Sequence, residues 1–290
     1  MIIVDFQQVV IANLMVHLNS KTINKNELKE GLVRHMILNT LRSINTKFRN
    51  DYGNLIVAYD SKSWRKEVFP YYKANRKKAQ DKSPVDWVKL FDYFGRIKPE
   101  LKEALPYKVI EVEGCEADDI IGVLVRYIRD KEKVMIVSGD KDFIQLHNEN
   151  VQQYDPVQKK AVKNGDPYQF LAEHILRGDA GDGVPNVLSS DDTFVNVDKR
   201  QTPLTKKKMD GLLALYWEQN PSLTMRDTLP EIKRNYSRNE QLIDLTNTPE
   251  EYTIKIMDQY ANFPQRDKHN LYQYLIRNNC QQLLESIHDF

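Results

Sequence analysis

Four short runs of apolar and β-branched residues constrain this 290-residue chain more than any other feature. They are Ile2-Ile3-Val4, Leu55-Ile56-Val57-Ala58-Tyr59, Lys108-Val109-Ile110-Glu111-Val112 and Val134-Met135-Ile136-Val137. Runs this short and continuous suit strands covered on both faces, as in a parallel sheet, better than strands with one wet face. Between them lie longer stretches with apolar residues three and four apart. The clearest run from Glu27 to Phe48 (Leu28, Leu32, Met36, Leu38, Leu41) and from Ile120 to Ile128 (Val123, Leu124). Strand, helix, strand, helix predicts an α/β fold, a mostly parallel sheet with flanking helices. From about Pro167 helical patterns take over, at 168–176, 206–218, 250–260 and 269–285. The expected division is therefore an α/β part, 1–165, and an all-helical part, 166–290.

Acids follow every one of the four runs. Asp5 closes the first and Asp60 the second; Glu116, Asp118 and Asp119 come shortly after the third, and Asp140 and Asp142 after the fourth. The crevice of an open parallel sheet lies outside the carboxyl ends of its strands, so these carboxylates are predicted to converge there. A further pair, Asp179 and Asp182, sits in Gly178-Asp179-Ala180-Gly181-Asp182-Gly183-Val184-Pro185, where glycine permits tight turns. Crowded carboxylates raise one another's pKa unless cations lie between them. A donor set of oxygen without His or Cys selects Mg²⁺, with Mn²⁺ as a substitute, over Zn²⁺. So many acids suit two ions, and two such ions clamp the attacking and leaving oxygens of a displacement at phosphorus. A single Asp at a strand end is more often a cap or turn residue; the repetition after four strands is what points to a metal centre.

Other chemistries lack their signatures. The chain has no GxxxxGK[ST] loop, no GxGxxG after a strand and no GxSxG elbow. Cys115 and Cys280, its two cysteines, form neither a CxxC pair nor a spaced set with His, which predicts no disulfide and fits a reducing cytoplasm. The N-terminus is not a signal peptide and no apolar run reaches membrane length, so no membrane association is expected. At 41% hydrophobic and 10% aromatic the chain is too apolar for disorder. The formal net charge is only +1, and the distribution of charge has to speak instead.

Between Ser61 and Lys82 stand eight Lys and Arg, including Arg65, Lys66, Lys73, Arg76, Lys77 and Lys78, against Glu67 and Asp81. Trp64, Phe69, Tyr71 and Tyr72 are interleaved with them, a mixture suited to neutralising phosphates and stacking bases. The segment starts directly after Asp60 and is expected to overhang the metal crevice. A second cluster, Lys199, Arg200, Lys206, Lys207 and Lys208, leads into a helical pattern; for such a run a solvated face is as good a reading as a phosphate contact.

With these residues in place the sequence resembles the flap endonuclease or 5′-nuclease family over nearly its whole length. The matching stretches are Ile3-Val4-Asp5-Phe6, Tyr59-Asp60-Ser61, Trp64-Arg65-Lys66, Pro70 through Arg76, Glu116-Ala117-Asp118-Asp119, Ser138 through Phe143, and Gly178 through Pro185. The resemblance implies a PIN-like nuclease core with a helical arch at about residues 62–82 and a helix-turn-helix variant in the second part. It implies a 5′ to 3′ exonuclease and flap endonuclease acting near 5′ ends of DNA and RNA·DNA duplexes, with ribonuclease H-type activity. Such enzymes remove RNA primers and flaps in lagging-strand replication and leave a 5′-phosphate. Carried over by position, Asp5, Asp60, Glu116, Asp118 and Asp140 ligate or frame a first metal, and Asp118, Asp142, Asp179 and Asp182 a second, beside Asp119. Lys73 and Arg76 hold the scissile phosphate, and Tyr71 or Tyr72 stacks on the terminal base. The pattern departs from cellular relatives at Val187 through Thr193, which lacks their second glycine turn and lysine, so Arg200 and Lys206 to Lys208 take over the duplex grip. A monomer is expected, with single-strand-binding protein and a sliding clamp as the partners to test. The tail Leu284 through Phe290 reads as a frayed end or, alternatively, an aromatic-acidic docking peptide. Two other functions stay open: a non-catalytic structure-specific DNA-binding protein, against which the full set of acids speaks, and a metal-dependent hydrolase of small phosphate esters, which has no use for the basic aromatic segment.

Overall fold

The computed structural model describes residues 1–19, 28–81, 83, 85–163, 165–217 and 230–290. Lys82 and the ends of two expected helices, Glu27 and Glu218, lie outside the described residues. The strands are β1 (Ile2–Asp5), β2 (Leu55–Ala58), β3 (Lys108–Ile110), β4 (Val134–Val137), β5 (Val151–Asp155) and β6 (Lys160–Val162). They form one sheet in the order β3-β2-β1-β4-β5-β6. Every pairing is parallel except the β5–β6 hairpin. Helices α1 (Phe6–Asn19), α2 (Glu30–Tyr52), α3 (Arg65–Val68), α4 (Arg76–Asp81), α5 (Trp87–Ala104) and α6 (Ala117–Ile128) fall among the strands. After them come α7 (Pro167–Arg177), α8 (Lys206–Trp217), α9 (Pro230–Ile243), α10 (Glu250–Asn262) and α11 (Lys268–Arg277).

The four expected strands are present because their side chains are wholly enclosed: Ile2, Ile3, Val4, Val57, Val109, Ile136 and Val137 are all at 0% exposure. β5 and β6 escape a search for apolar runs. β5 reads Val-Gln-Gln-Tyr-Asp with an alternating, half-wet pattern, and β6 is a short exposed edge. α9 is equally faint in sequence, because its buried face carries Asn235 and Asn239 beside Tyr236, Leu242 and Ile243. The expected helix over 269–285 stops at Arg277. Asn279 takes a left-handed φ of 54°, a conformation that ends helices, and short 3₁₀ turns follow.

The chain groups into two compact units. One comprises Met1–Lys62, Pro84–Lys163 and Pro249–Phe290; the other, Ser63–Ser83 and Asn164–Thr248. This differs from a single cut near 165 in two ways, each with a physical reason. The last helices return to the sheet unit: α10 packs on α6 and β3, and on α11 Tyr274 joins a buried polar cluster in which Arg34 donates to its hydroxyl at 2.8 Å and to Glu100 at 2.9 Å. The tail is neither frayed nor free to serve as a docking peptide. Phe290 is 4% exposed within the sheet unit's core, and Asn45 donates to the Asp289 carbonyl at 2.8 Å.

The basic segment belongs instead with α7, α8 and α9. Phe69 and Tyr72 are buried in one apolar core with Ile175, Leu176, Val184, Met209 and Tyr236. Among the described residues the segment consists of two short helices, α3 and α4, joined by turns. Between α7 and α8, residues 178–205 are turns, with a two-residue bridge at Asp179 and Val184. Both cysteines are buried, and neither is joined in a disulfide. Among the described residues no helix is long and apolar enough to cross a membrane.

Candidate active site

β1 lies between β2 and β4, so the acids that end these three strands stand side by side at the carboxyl end of the sheet. Asp5, at the centre, is 4% exposed. Burial first, then the charges of Asp60 and Asp140, push its carboxyl up to about 8, although a hydrogen bond from Ser138 and one from the Gln8 backbone act the other way. The Ser138 hydroxyl donates to Asp5 Oδ2 at 2.9 Å and accepts the Asp140 N–H at 3.1 Å, which fixes Asp140 relative to Asp5. Asp140 Oδ1 then accepts the Asp142 N–H at 3.0 Å. The Gln8 side-chain oxygen accepts the Gly139 N–H at 3.1 Å and completes the hold on this turn.

Glu116 and Asp118 reach the same end of the sheet from the start of α6. Asp60 Oδ1 accepts the Ala117 N–H at 2.9 Å, tying the β2 acid to the first turn of that helix. Glu116 is the N-cap in a capping box, and Asp119 accepts the Glu116 N–H at 2.9 Å. Asp119 is fully enclosed, so its geometry is that of a helix cap that orients Glu116. Asp155, ending β5, was not singled out by the sequence. Its carboxylate accepts the Val157 and Gln158 N–H groups, the ordinary turn role of a strand-end acid. A cavity of about 830 Å³ is lined by Met1, Leu55, Tyr107 and Lys108 at the opposite ends of the strands, and none of these acids lines it.

In the second unit Asp179 and Asp182 occupy a tight loop. The Val184 N–H donates to the Asp179 carbonyl at 2.7 Å, and Gly183 has a φ of 74°. A Cβ on Gly183 would stand 3.1 Å from both the Asn75 side chain and the Tyr71 carbonyl, so glycine lets the basic segment approach. Asn75 donates to the Ala180 carbonyl at 2.7 Å, and the Lys73 N–H to the Asp182 carbonyl at 2.7 Å. That bond helps hold Lys73 at φ 57°, a left-handed conformation uncommon for a residue with a Cβ. The Asp182 carboxylate accepts from the Tyr72 hydroxyl at 2.8 Å, faces Lys73 Nζ at 3.3 Å and pairs with Arg76. Burial alone would raise its pKa, but Lys73, Arg76 and the Tyr72 hydrogen bond together hold it below the usual carboxylate range. Asp179 goes the other way, raised by burial and by the charge of Asp182.

Several cations and aromatics expected at a nucleic-acid surface are placed differently. Arg65 is 2% exposed and donates to the Leu242 carbonyl at 2.8 Å, a structural role that removes it from the contact set. Tyr72 is buried and committed to Asp182, whereas Tyr71 is 38% exposed, which leaves Tyr71 as the stacking candidate. Lys66, Lys77, Arg200 and Lys206 to Lys208 are exposed; the Lys78 side chain lies outside what is described. Lys199 is taken up by Asp192 at 2.6 Å.

Sequence reasoning missed Gln8 and Ser138 in the first unit and Asn235, Arg238 and Asn239 in the second. On α9, Asn239 donates to the Ile175 and Pro185 carbonyls, Asn235 to those of Val187 and Ser189, and Arg238 to that of Pro185. Together they hold the stretch after the Asp179–Asp182 loop. Polar side chains whose partners are backbone carbonyls far along the chain leave no local sequence signal.

Strand-end acids on an open parallel sheet, with a separate basic segment, define a hydrolytic nuclease of the 5′-nuclease class. The comparisons agree: residues 2–173 match the 5′-3′ exonuclease N-terminal resolvase-like domain and residues 165–290 the T4 RNase H C-terminal domain. The chain belongs to the 5′-3′ exonuclease family, and its activity is of the 5′-3′ exonuclease and flap endonuclease type. It is 31% identical to ribonuclease H of Enterobacteria phage T4, over 99% of this chain and 95% of that one. It is also 31% identical to a 5′-3′ exonuclease of Buchnera aphidicola, over 58% of this chain and 59% of the relative. Among solved structures, a bacteriophage T5 5′-exonuclease with bound zinc superposes with a TM-score of 0.59 at 17% identity, covering 96% of this chain and 97% of that one. A T5 flap endonuclease in a complex with DNA and metal ions gives 0.58 at 18% identity, covering 98% of each.

Proposed function

We propose that this chain hydrolyses phosphodiesters near the 5′ ends of DNA and RNA·DNA duplexes, removing RNA primers and flaps, with Mg²⁺ as the resident divalent cation. The observation that carries the reading is Asp5, enclosed with two further carboxylates and pushed up to about 8. An oxygen-only set in that condition fits a hard divalent ion. Asp5, Asp60, Glu116, Asp118, Asp140 and Asp142 are the residues that would hold it. When bound, such ions supply an activated water and stabilise the departing oxygen.

The chain's own groups do the rest. Ser138 keeps Asp5 and Asp140 at a fixed separation, and the capping pair Glu116 and Asp119 fixes the start of α6. Lys73 and Arg76 bind a substrate phosphate in exchange for the Asp182 carboxylate they face in this structure, and exposed Tyr71 offers a ring to an unpaired base. Arg200 and Lys206 to Lys208 contact duplex phosphates. Three lysines in the first turn of α8 oppose the helix dipole at a cost of a few tenths to about 1 kcal/mol each, which an anionic partner relieves.

The test is a cleavage assay with Mg²⁺ on end-labelled 5′-flap, nicked and RNA-primed duplexes. Asp140→Asn is expected to lower cleavage at least about a thousandfold while duplex affinity changes less than about threefold, since the exposed cations stay in place. Near-normal turnover by Asp140→Asn would sink the assignment.

A further inference from the structure

The acids at the start of α6 depend on a segment, 111–116, that leaves the edge strand β3 with no strand beyond it. Its support comes from α10, far along the chain but in the same unit. Gln259 Nε2 donates to the Glu111 carbonyl at 2.7 Å, and its Oε1 accepts the Glu111 N–H at 3.2 Å. One side-chain amide thus satisfies both backbone groups of one residue, as a neighbouring strand would. Two helical turns earlier on α10, Tyr252 covers Gly114. A Cβ at Gly114, whose φ is 92°, would stand 2.6 Å from the Tyr252 ring. At the other end of β3, Lys108 donates to the Tyr260 carbonyl. α10 therefore lies along the whole edge, from Lys108 to Gly114.

The same segment is wired to Asp60. Lys98 donates to the Glu111 carboxylate at 2.9 Å and to the Asp60 carbonyl at 2.9 Å, and the Ser61 N–H donates to the Cys115 carbonyl at 2.9 Å. A displacement of Glu111 would move Asp60 on one side and Glu116 and Asp118 on the other. We infer that Gln259 and Tyr252 are positioning residues that set divalent-cation affinity by holding segment 111–116 and, through it, Glu116, Asp118 and Asp60. The inference rests on the metal-dependent reading above.

The experiment uses the full chain and Mn²⁺ as probe, its dissociation constant read by calorimetry or electron paramagnetic resonance without substrate. Gln259→Leu and Tyr252→Ala are each expected to weaken Mn²⁺ binding about tenfold, the lower end of what outer-layer partners of a metal site contribute. Gln259→Glu, which keeps the bond from the Glu111 N–H and loses the one to its carbonyl, is expected to fall between Gln259→Leu and the parent. In cleavage assays the Mg²⁺ concentration for half-maximal rate should rise in parallel, with kcat restored at saturating Mg²⁺ and substrate KM unchanged. An unchanged Mn²⁺ constant in folded Gln259→Leu and Gln259→Glu would overturn the inference, as would a loss of rate that saturating Mg²⁺ does not restore. If Asp140→Asn stays active, the reading beneath it has failed; if that variant is dead while both Gln259 variants bind Mn²⁺ as the parent does, only the positioning role falls.

Discussion

In the first unit Asp5 is enclosed with Asp60 and Asp140, and the leading influences on its charge are burial and other acids, which push its carboxyl up to about 8. In the second, Asp182, its side chain 14% exposed, is held below the ordinary carboxylate range, because Lys73, Arg76 and Tyr72 face it. Both sites began as the same sequence signal, an Asp beside glycine or at a strand end. The difference shows that the signal reports only that an acid is needed at a turn; the neighbours decide whether its charge is balanced by the protein or left for a ligand. Whether the contrast is real can be measured by removing the acid from each.

The largest effect should come from Asp5→Asn. Cleavage is expected to fall at least about a thousandfold, since a central ligand is lost. Stability without metal should change in the opposite sense. A folded-state pKa of about 8 lies above the unfolded value of 3.8, so protonation supports the fold fully below pH 4, and that support is lost as pH rises through 8. Asparagine cannot titrate. In chelator at pH 8.5 the variant should therefore melt about 5 °C above the parent, with the gap closing toward pH 4 and on adding Mg²⁺ to the parent. Equal melting temperatures at pH 8.5 would mean that Asp5 is compensated after all.

Asp182→Asn is the counterpart, with a smaller effect of opposite sign. It removes the Asp182 charge from beside Lys73, only 15% exposed, and should destabilise the protein by about 3 kcal/mol at pH 7 in a denaturant titration. Because the folded pKa of Asp182 is depressed, its contribution is present above the unfolded value near 4 and fades as pH falls through the lower folded one. The parent and the variant should therefore converge in stability as the pH falls below the ordinary carboxylate range. A variant as stable as the parent at pH 7 would remove the distinction between the two acidic groups.

What the sequence revealed follows the same line. β1, β2, β3 and β4 were legible because burial on both faces writes itself as a continuous apolar run, and the acids after them because the chain must place them at strand ends. Hidden from it was everything joined across long separations. Gln259 on Glu111, Tyr274 between Arg34 and Glu100, and Asn239 on Pro185 are polar residues in helices whose partners lie 54 to 240 positions away. Nor could composition separate Arg65, sealed beneath the Leu242 carbonyl, from its exposed neighbour Lys66. An acid at a strand end was ambiguous too: Asp155 serves a turn and Asp119 a cap, by geometry that neighbours in sequence do not specify.

The smallest effect sharpens the comparison from the side of the cations. Lys73 and Arg76 are balanced by Asp182, whereas among the described residues Lys206, Lys207 and Lys208 form no ion pair and stand in the first turn of α8, which holds no acid. Cations there face the positive end of the helix dipole, so Lys207→Ala should leave stability unchanged or raise it by a few tenths to about 1 kcal/mol. If the lysine meets a duplex phosphate, the same change should weaken binding by a similar factor for every sequence and reduce the slope of log K against log salt by about 1. Its effect on cleavage at saturating substrate should be negligible, because the contact is present equally in ground and transition states. An unaltered salt slope would mean that these lysines form a solvated face, and that in the second unit the cations around Asp182 carry the phosphate contacts without them.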